Sequence, residues 1–111
     1  MKIIEYTIKQ ADYKKLIDSI TKEFDFKCSY TKNNLSIYFK ETTIGNFNFC
    51  YTIIFDYTED NQLEVVIVYA GGKATLLLKE DIYGKNLRNK ITKFIKDFCK
   101  KNNWIIIEKT Y

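Results

Sequence analysis

The side chains of this chain that could do chemistry are its cysteines, carboxylates, lysines and tyrosines, because the 111-residue sequence contains no histidine. The missing imidazole excludes a histidine-based catalytic triad, a histidine-containing zinc site and a two-histidine iron site. Cys28, Cys50 and Cys99 are odd in number and widely spaced, so they form neither a C-x-x-C pair nor a disulfide framework. We therefore predict three reduced thiols in the core, with no metal and no other cofactor.

The remaining polar motifs do not assemble a catalytic set. The acidic doublets Glu59-Asp60 and Glu80-Asp81 fall in predicted turns, where carboxylates normally stay solvated, so a catalytic pair or metal site there is disfavoured. Gly71-Gly72 lacks the spacing of a phosphate-binding loop and does not open a helix. Cys99 falls near the C-terminal end of a predicted helix, where the helix dipole raises a thiol pKa. We assign no catalytic residue.

A basic helix predicted over residues 85–101 is the first candidate binding feature. Seven of its residues are lysine or arginine and only Asp97 is acidic, and the helical period places most of these cations opposite its apolar stripe. Such a face can bind phosphate backbones or an acidic protein. The alternative is a solvated face whose last lysines complement the helix dipole. The candidate residues for an anion or a partner are Lys85, Arg88, Lys93, Lys96 and Lys100.

Aromatic residues make up 16% of the chain, and aromatic side chains can stack on bases or anchor a protein interface. The segment from Ile44 to Tyr51 is faintly similar to the aromatic strand of an RNA-recognition sheet. However, Asn46 breaks that spacing, no basic residue precedes Gly45, and the predicted sheet has too many strands. We therefore assign most aromatic residues to core packing.

The elements that must position these residues follow from two periods of apolar residues. Alternation predicts strands, most clearly from Phe47 to Tyr57, and spacings of three and four predict helices. The predicted elements are strand 2–9, helix 11–24, strands 26–31, 35–40, 47–57, 63–70 and 73–79, helix 85–101 and strand 104–107. This β-α-β-β-β-β-β-α-β order with short turns predicts one α+β domain over residues 1–111, in which two helices pack on a mostly antiparallel sheet.

Some apolar strand residues have the opposite parity to the expected core. If both helices cover one side of the sheet, these residues form an apolar patch on the other side, which usually marks an interface. The alternative is a sheet that curls or is covered on both sides. The candidate interface residues are Tyr38, Ile54, Val66 and Val68, and the expected occupant is a protein partner or a further copy of the chain in a homo-oligomer.

No segment resembles a membrane anchor or a leader. The longest apolar run, Val65 to Ala70, is far shorter than the ~18 residues that a spanning helix requires. Glu5 and Lys9 interrupt the N-terminal segment where a signal peptide needs a continuous apolar core. We expect no membrane association and a cytoplasmic location.

The stretch from Ala70 to Gly84 resembles the signature of an uncharacterised family of small bacterial proteins. It contains a Gly-Gly pair, an apolar strand, Lys79 and an aromatic-Gly step, Tyr83-Gly84, into the last helix. The opening strand, Tyr6 to Lys9, and the helix after it are also similar to the start of that family. The resemblance implies the same order of elements and no particular activity.

Together these patterns predict a non-catalytic binding or interaction module. We expect a small accessory or inhibitor protein of a bacterium or its mobile elements, acting through protein contacts. The first alternative is binding of nucleic acid or another anionic ligand by the basic C-terminal helix. The second is an enzyme with a histidine-free site, which would need a cleft with several convergent polar groups and perturbed pKa values.

Overall fold

The computed structural model describes residues 2–26, 28–44, 47–57, 61–71 and 85–110. Within these residues the chain forms six strands and two helices, which confirms the predicted α+β class and order of elements. The elements are β1 (Lys2–Lys9), α1 (Tyr13–Phe24), β2 (Cys28–Lys32), β3 (Leu35–Ile44), β4 (Phe47–Asp56), β5 (Gln62–Gly71), α2 (Lys85–Lys101) and β6 (Ile105–Thr110). The predicted strand at 73–79 lies outside the described residues.

The six strands form a single antiparallel sheet in the order β2-β3-β4-β5-β1-β6. β1 lies between β5 and β6, so that Thr7 pairs with Glu64 on one side and with Ile107 on the other. The chain must therefore cross most of the sheet between β1 and β2. The 12 residues of α1 span ~18 Å, which matches four strand spacings of ~4.8 Å.

Both ends of α1 are held by short-range contacts. Asp12 is the N-cap, and its side chain accepts a hydrogen bond from the Lys15 N–H at 3.5 Å. Asp25 ends the helix in the left-handed region, with φ 48°, and its N–H donates to the Thr21 carbonyl at 3.2 Å. The Lys40 ammonium on β3 donates to the Phe24 carbonyl, which places a cation at the negative end of the helix dipole. The C-terminal end of α1 is thereby held at β3.

The core lies between the two helices and one face of the sheet. Along each central strand alternate residues point to the helices, as the period of two requires. Fully burying one aliphatic side chain of this kind contributes roughly 1.5–3 kcal/mol. The core residues are Tyr6, Ile8, Ala11, Leu16, Ile17, Ile20, Tyr51, Ile53, Phe55, Leu63, Val65, Ile67, Tyr69, Ile91, Ile95 and Cys99. Neither helix of the described chain has the length and apolar character that a bilayer crossing requires.

Tyr6 is the one core residue whose polar group makes no hydrogen bond of good geometry in the described structure. Its side chain is completely buried in the middle of β1, and Glu108 and Thr92 lie near its hydroxyl without meeting that geometry. Burial, and next the neighbouring Glu108 carboxylate, raise the pKa of this hydroxyl well above its usual range. Tyr6 therefore packs in the core as a neutral side chain. Removing its hydroxyl from water destabilises the folded state.

We predict that Tyr6→Phe leaves the free energy of unfolding unchanged or raises it by up to about 1 kcal/mol, because the substitution removes a buried unpaired hydroxyl and keeps the ring. Urea denaturation followed by circular dichroism measures this change. Leu16→Ala is the control, since a cavity in the same core should cost about 2–5 kcal/mol. A loss of more than 1 kcal/mol in Tyr6→Phe would contradict the assignment.

Candidate interaction surface

The sheet has a second face, which points away from both helices. The strand residues on it alternate with the core residues, and no helix or strand of the described chain packs against them. We call this side the open face; its central residues are Ile54 on β4 and Val66 and Val68 on β5. A sheet face without a covering layer is ordinarily polar, so the residues on it are informative.

The middle of the open face is apolar. The strand register aligns Tyr30, Ile37, Ile54 and Val66 in one row across β2 to β5. The next row contains Phe39 and Val68, with Ile3 on β1 beside Val68. Single exposed aliphatic residues are normal on a protein surface, but contiguous ones mark a contact site. We call this set the apolar patch: Ile3, Tyr30, Ile37, Phe39, Ile54, Val66 and Val68.

The patch is accessible. Tyr30 is 51% exposed, Phe39 38% and Ile3 37%. Ile54 and its neighbours in the centre are half-buried by each other and by adjacent strands. At the β6 end of the same face, Ile105 and Ile107 are 50% and 49% exposed. The open face thus has an apolar centre and apolar residues at the β6 end, while charged residues lie on each of its six strands.

The structure separates the four residues of the predicted interface. It places Ile54, Val66 and Val68 on the open face, but Tyr38 pairs with Ile53 and lies on the helix-covered face. The Tyr38 ring packs against Phe55, with 5.8 Å between ring centroids. The prediction that Tyr38 lies on the open face was wrong because the more apolar parity of β3, that of Ile37 and Phe39, is the one that faces away from the helices.

Two polar residues of β3 lie on the covered side with Tyr38, and each has a partner there. The Ser36 hydroxyl lies 2.9 Å from the Tyr57 hydroxyl, and Lys40 bonds to the end of α1. These contacts let polar side chains occupy inward positions, while Ile37 and Phe39 point to the open face. Sequence reasoning missed both of these apolar residues, and also Tyr30 on the neighbouring strand. The strand register would have placed them on the open face, because it pairs Ile37 with Ile54, which lies on that face.

The described cysteines lie in different environments. Cys99 is completely buried in α2, and burial raises its thiol pKa to about 11, so little thiolate exists at neutral pH. Cys50 is exposed on the open-face side of β4, opposite Glu41, which corrects the prediction of a core thiol. The side chain of Cys28 lies outside the described residues. Neither described cysteine belongs to a group of three or more possible metal ligands within that part of the chain.

The open face carries nearly balanced charge. Three lysines lie on it, at positions 9, 32 and 109, together with four carboxylates, at positions 5, 41, 56 and 64. Both oxygens of Glu64 already accept hydrogen bonds, from the Thr7 hydroxyl at 2.7 Å and from the Gln62 amide at 3.1 Å. The polar part of this face is therefore partly satisfied by its own neighbours, which lowers the cost of covering it.

A shallow groove of about 820 Å³ extends the open face at the β2–β3 turn. Tyr30 and Leu35 give it an apolar floor, while Lys32 and Asp56 flank it. The turn closes through Asn33, which has φ 54°, a conformation that asparagine tolerates better than most residues. The groove gives one end of the apolar patch a concave shape with a charge of each sign.

A second groove, of about 530 Å³, lies at the N-terminus of α1 on another side of the molecule. Tyr13 and Tyr57 stack beside it, with ring centroids 4.1 Å apart. Its lining includes one carboxylate, Asp12, which caps α1. It contains no paired acid and base and no cysteine or lysine. The lining offers no residue set for catalysis.

The basic face of α2 is only partly available for binding. Lys93, Lys96 and Lys100 are exposed, as the helical period predicted. The Lys96 ammonium, however, lies 3.3 Å from the Glu108 carboxylate on β6 and 6.0 Å from the centroid of the Tyr6 ring. Lys96 therefore helps join α2 to the sheet. The side chains of Lys85 and Arg88 lie outside the described residues.

No protein-family model matches this chain, and no curated protein matches it.

The nucleic-acid alternative predicts that Lys93 and Lys100 supply phosphate contacts, each adding about −0.9 to the slope of log affinity against log salt for duplex DNA. Fluorescence anisotropy with labelled single-stranded and duplex oligonucleotides measures this. On this alternative, Lys93→Glu combined with Lys100→Glu should abolish binding without affecting the fold, because both side chains face water. Lys96 is left unchanged, since its replacement would remove the ion pair with Glu108.

If the wild-type protein shows no binding at ~50 mM salt, where electrostatic attraction is only weakly screened, the basic helix is a solvated face. Unchanged binding by the double variant would also reject α2 as the nucleic-acid site.

Proposed function

We propose that this protein is a non-catalytic interaction module that binds a protein partner through the open face of its sheet. The observation that carries the proposal is the apolar patch, which crosses five strands without a covering layer in the described chain. Covering apolar surface contributes roughly 25 cal/mol per Å² before the costs of association. Covering a face of this composition with a complementary surface therefore stabilises the complex.

The charge of the open face favours a protein partner over nucleic acid. A single-stranded nucleic acid needs a positively charged groove beside its stacking platform. The open face does carry exposed aromatic rings, Tyr30 and Phe39, but its carboxylates slightly outnumber its lysines. An apolar centre with mixed charge around it is instead typical of a protein interface, in which aromatic side chains are enriched.

Several finer points belong to the same proposal. We infer a small accessory or inhibitor protein of a bacterium or its mobile elements, supported by the resemblance to an uncharacterised family of small bacterial proteins. We infer a cytoplasmic location, supported by the two free thiols, Cys50 and Cys99, among the described residues. The resemblance implies no activity, so the surface alone supports binding as the function.

We predict that Val66→Lys reduces capture of the partner by about tenfold or more, because a charge at the centre of the apolar patch must be desolvated when the face is covered. The measurement is quantitative mass spectrometry of proteins retained from a native-host lysate by the immobilised protein. Asn89→Lys is the matched control, since it adds the same charge at an exposed position on α2.

Retention of the same proteins by wild type and Val66→Lys, with both folded by circular dichroism, would contradict the proposal. Loss of capture by Asn89→Lys alone would move the binding site to α2.

A further inference from the structure

The open face is large enough to form a standard interface unaided. Six strands ~4.8 Å apart and three to four same-face positions ~6.6 Å apart give roughly 600 Å² in projection, before side-chain relief is counted. Stable protein interfaces bury about 800 Å² of accessible surface on each partner. A flat, six-stranded face therefore suits an occupant that is itself a broad sheet, because a single helix or strand would cover only part of it.

The charge distribution of the chain also favours some occupants of the open face over others. The whole chain carries a formal charge of +4, whereas the described residues of the open face are close to neutral. A strongly acidic partner would be attracted to the basic α2, on the opposite side of the sheet. Two copies of the chain would meet with least repulsion through their open faces, because their helices would then lie on the outside.

The pattern of the patch is self-complementary. A twofold axis running along β4 would place β3 of one copy over β5 of the other, since these strands flank β4 on either side, and β6 would extend beyond the five overlapping strands. Ile37 would then face Val66, and Phe39 would face Val68. Ile54 lies on the axis and would face its own equivalent. The members of each pair meet at the same position along the strands, because the register places them in the same row. Apolar residues thus meet apolar residues across the centre.

Most polar residues tolerate this arrangement, with one exception at the end of β4, where Asp56 on the axis would face its own equivalent. In the same superposition β2 lies over β1, so the Tyr30 hydroxyl would approach Glu5, a carboxylate that can accept its proton in a hydrogen bond. Leu35 would lie over Glu64, and both oxygens of Glu64 are already bonded within its own chain. Two identically twisted sheets also pack well, at about −30° between their strands and ~10 Å apart.

We infer that the occupant of the open face is a second copy of this chain, so that two sheets pack face to face in a twofold-symmetric dimer. This inference rests on the proposed function and names the partner of that same surface. The dimer is a β-sandwich with the four helices on its outer sides, and Ile54 and Val66 lie at its centre.

Sedimentation velocity over ~1 µM to ~1 mM protein tests the inference. We predict a reversible monomer–dimer equilibrium for the wild type, a dissociation constant at least tenfold higher for Val66→Lys, and an unchanged one for Asn89→Lys. A wild-type protein that stays monomeric over the whole range overturns the inference. So does a dimer that Val66→Lys leaves intact, because that dimer would use another surface.

Cross-linking tests the geometry. In a background with Cys28→Ser and Cys50→Ser, Ile54→Cys should form a covalent dimer with a short bifunctional thiol reagent, because the twofold axis places the two side chains opposite each other across sheets ~10 Å apart, a separation too long for a disulfide. Asn89→Cys, on the helical side, should not. Equal cross-linking at the two positions would reject the face-to-face arrangement.

The two proposals fail differently. A monomeric wild type whose lysate capture is still lost in Val66→Lys retains the open face as a binding site and rejects only the second copy. A monomeric wild type with unaltered capture rejects both.

Discussion

A six-stranded sheet has two faces, and the described chain supplies helices for one of them. The period of two along each strand forces adjacent residues to opposite sides, so the residues that build the core leave their neighbours on the open face. Ile53 is completely buried while Ile54, next to it, is half-buried on the other side. The centre of the open face is nonetheless apolar, although no helix or strand of the described chain covers it.

Specific contacts hold both helices to the sheet. α1 is fixed by its caps and by the Lys40 ammonium, while the Lys96–Glu108 pair joins α2 to β6. These exposed or half-exposed contacts contribute little stability individually, since surface ion pairs are worth about 0–1 kcal/mol. Their effect is to hold both amphipathic helices on the same side. The basic residues of α2 consequently lie away from the nearly neutral open face.

Local patterns predicted the class, the order of elements and the two helices, because apolar residues that recur with periods of 3.6 and 2 can be recognised in the sequence alone. Such local patterns do not predict which strands pair with one another. β3 continues to Ile44 rather than ending near residue 40, because it pairs with β4 along its whole length. The parity of Tyr38 and the exposure of Cys50 also depend on which strands are neighbours. Lys96 was predicted to face water, and only the position of β6 reveals its carboxylate partner.

Side-chain NMR can compare the two faces at adjacent residues within one chain. With isotope-labelled methyl groups and a soluble paramagnetic gadolinium chelate, we predict that at ~10 µM protein the signals of Ile54 and Val66 broaden. Those of Ile53 and Val65 should stay sharp, because the core excludes the chelate. Raising the protein concentration should restore protection to Ile54 and Val66 alone. If Ile54 and Val66 are as protected as Ile53 and Val65 at ~10 µM, the face is covered within a single chain, which would contradict the account.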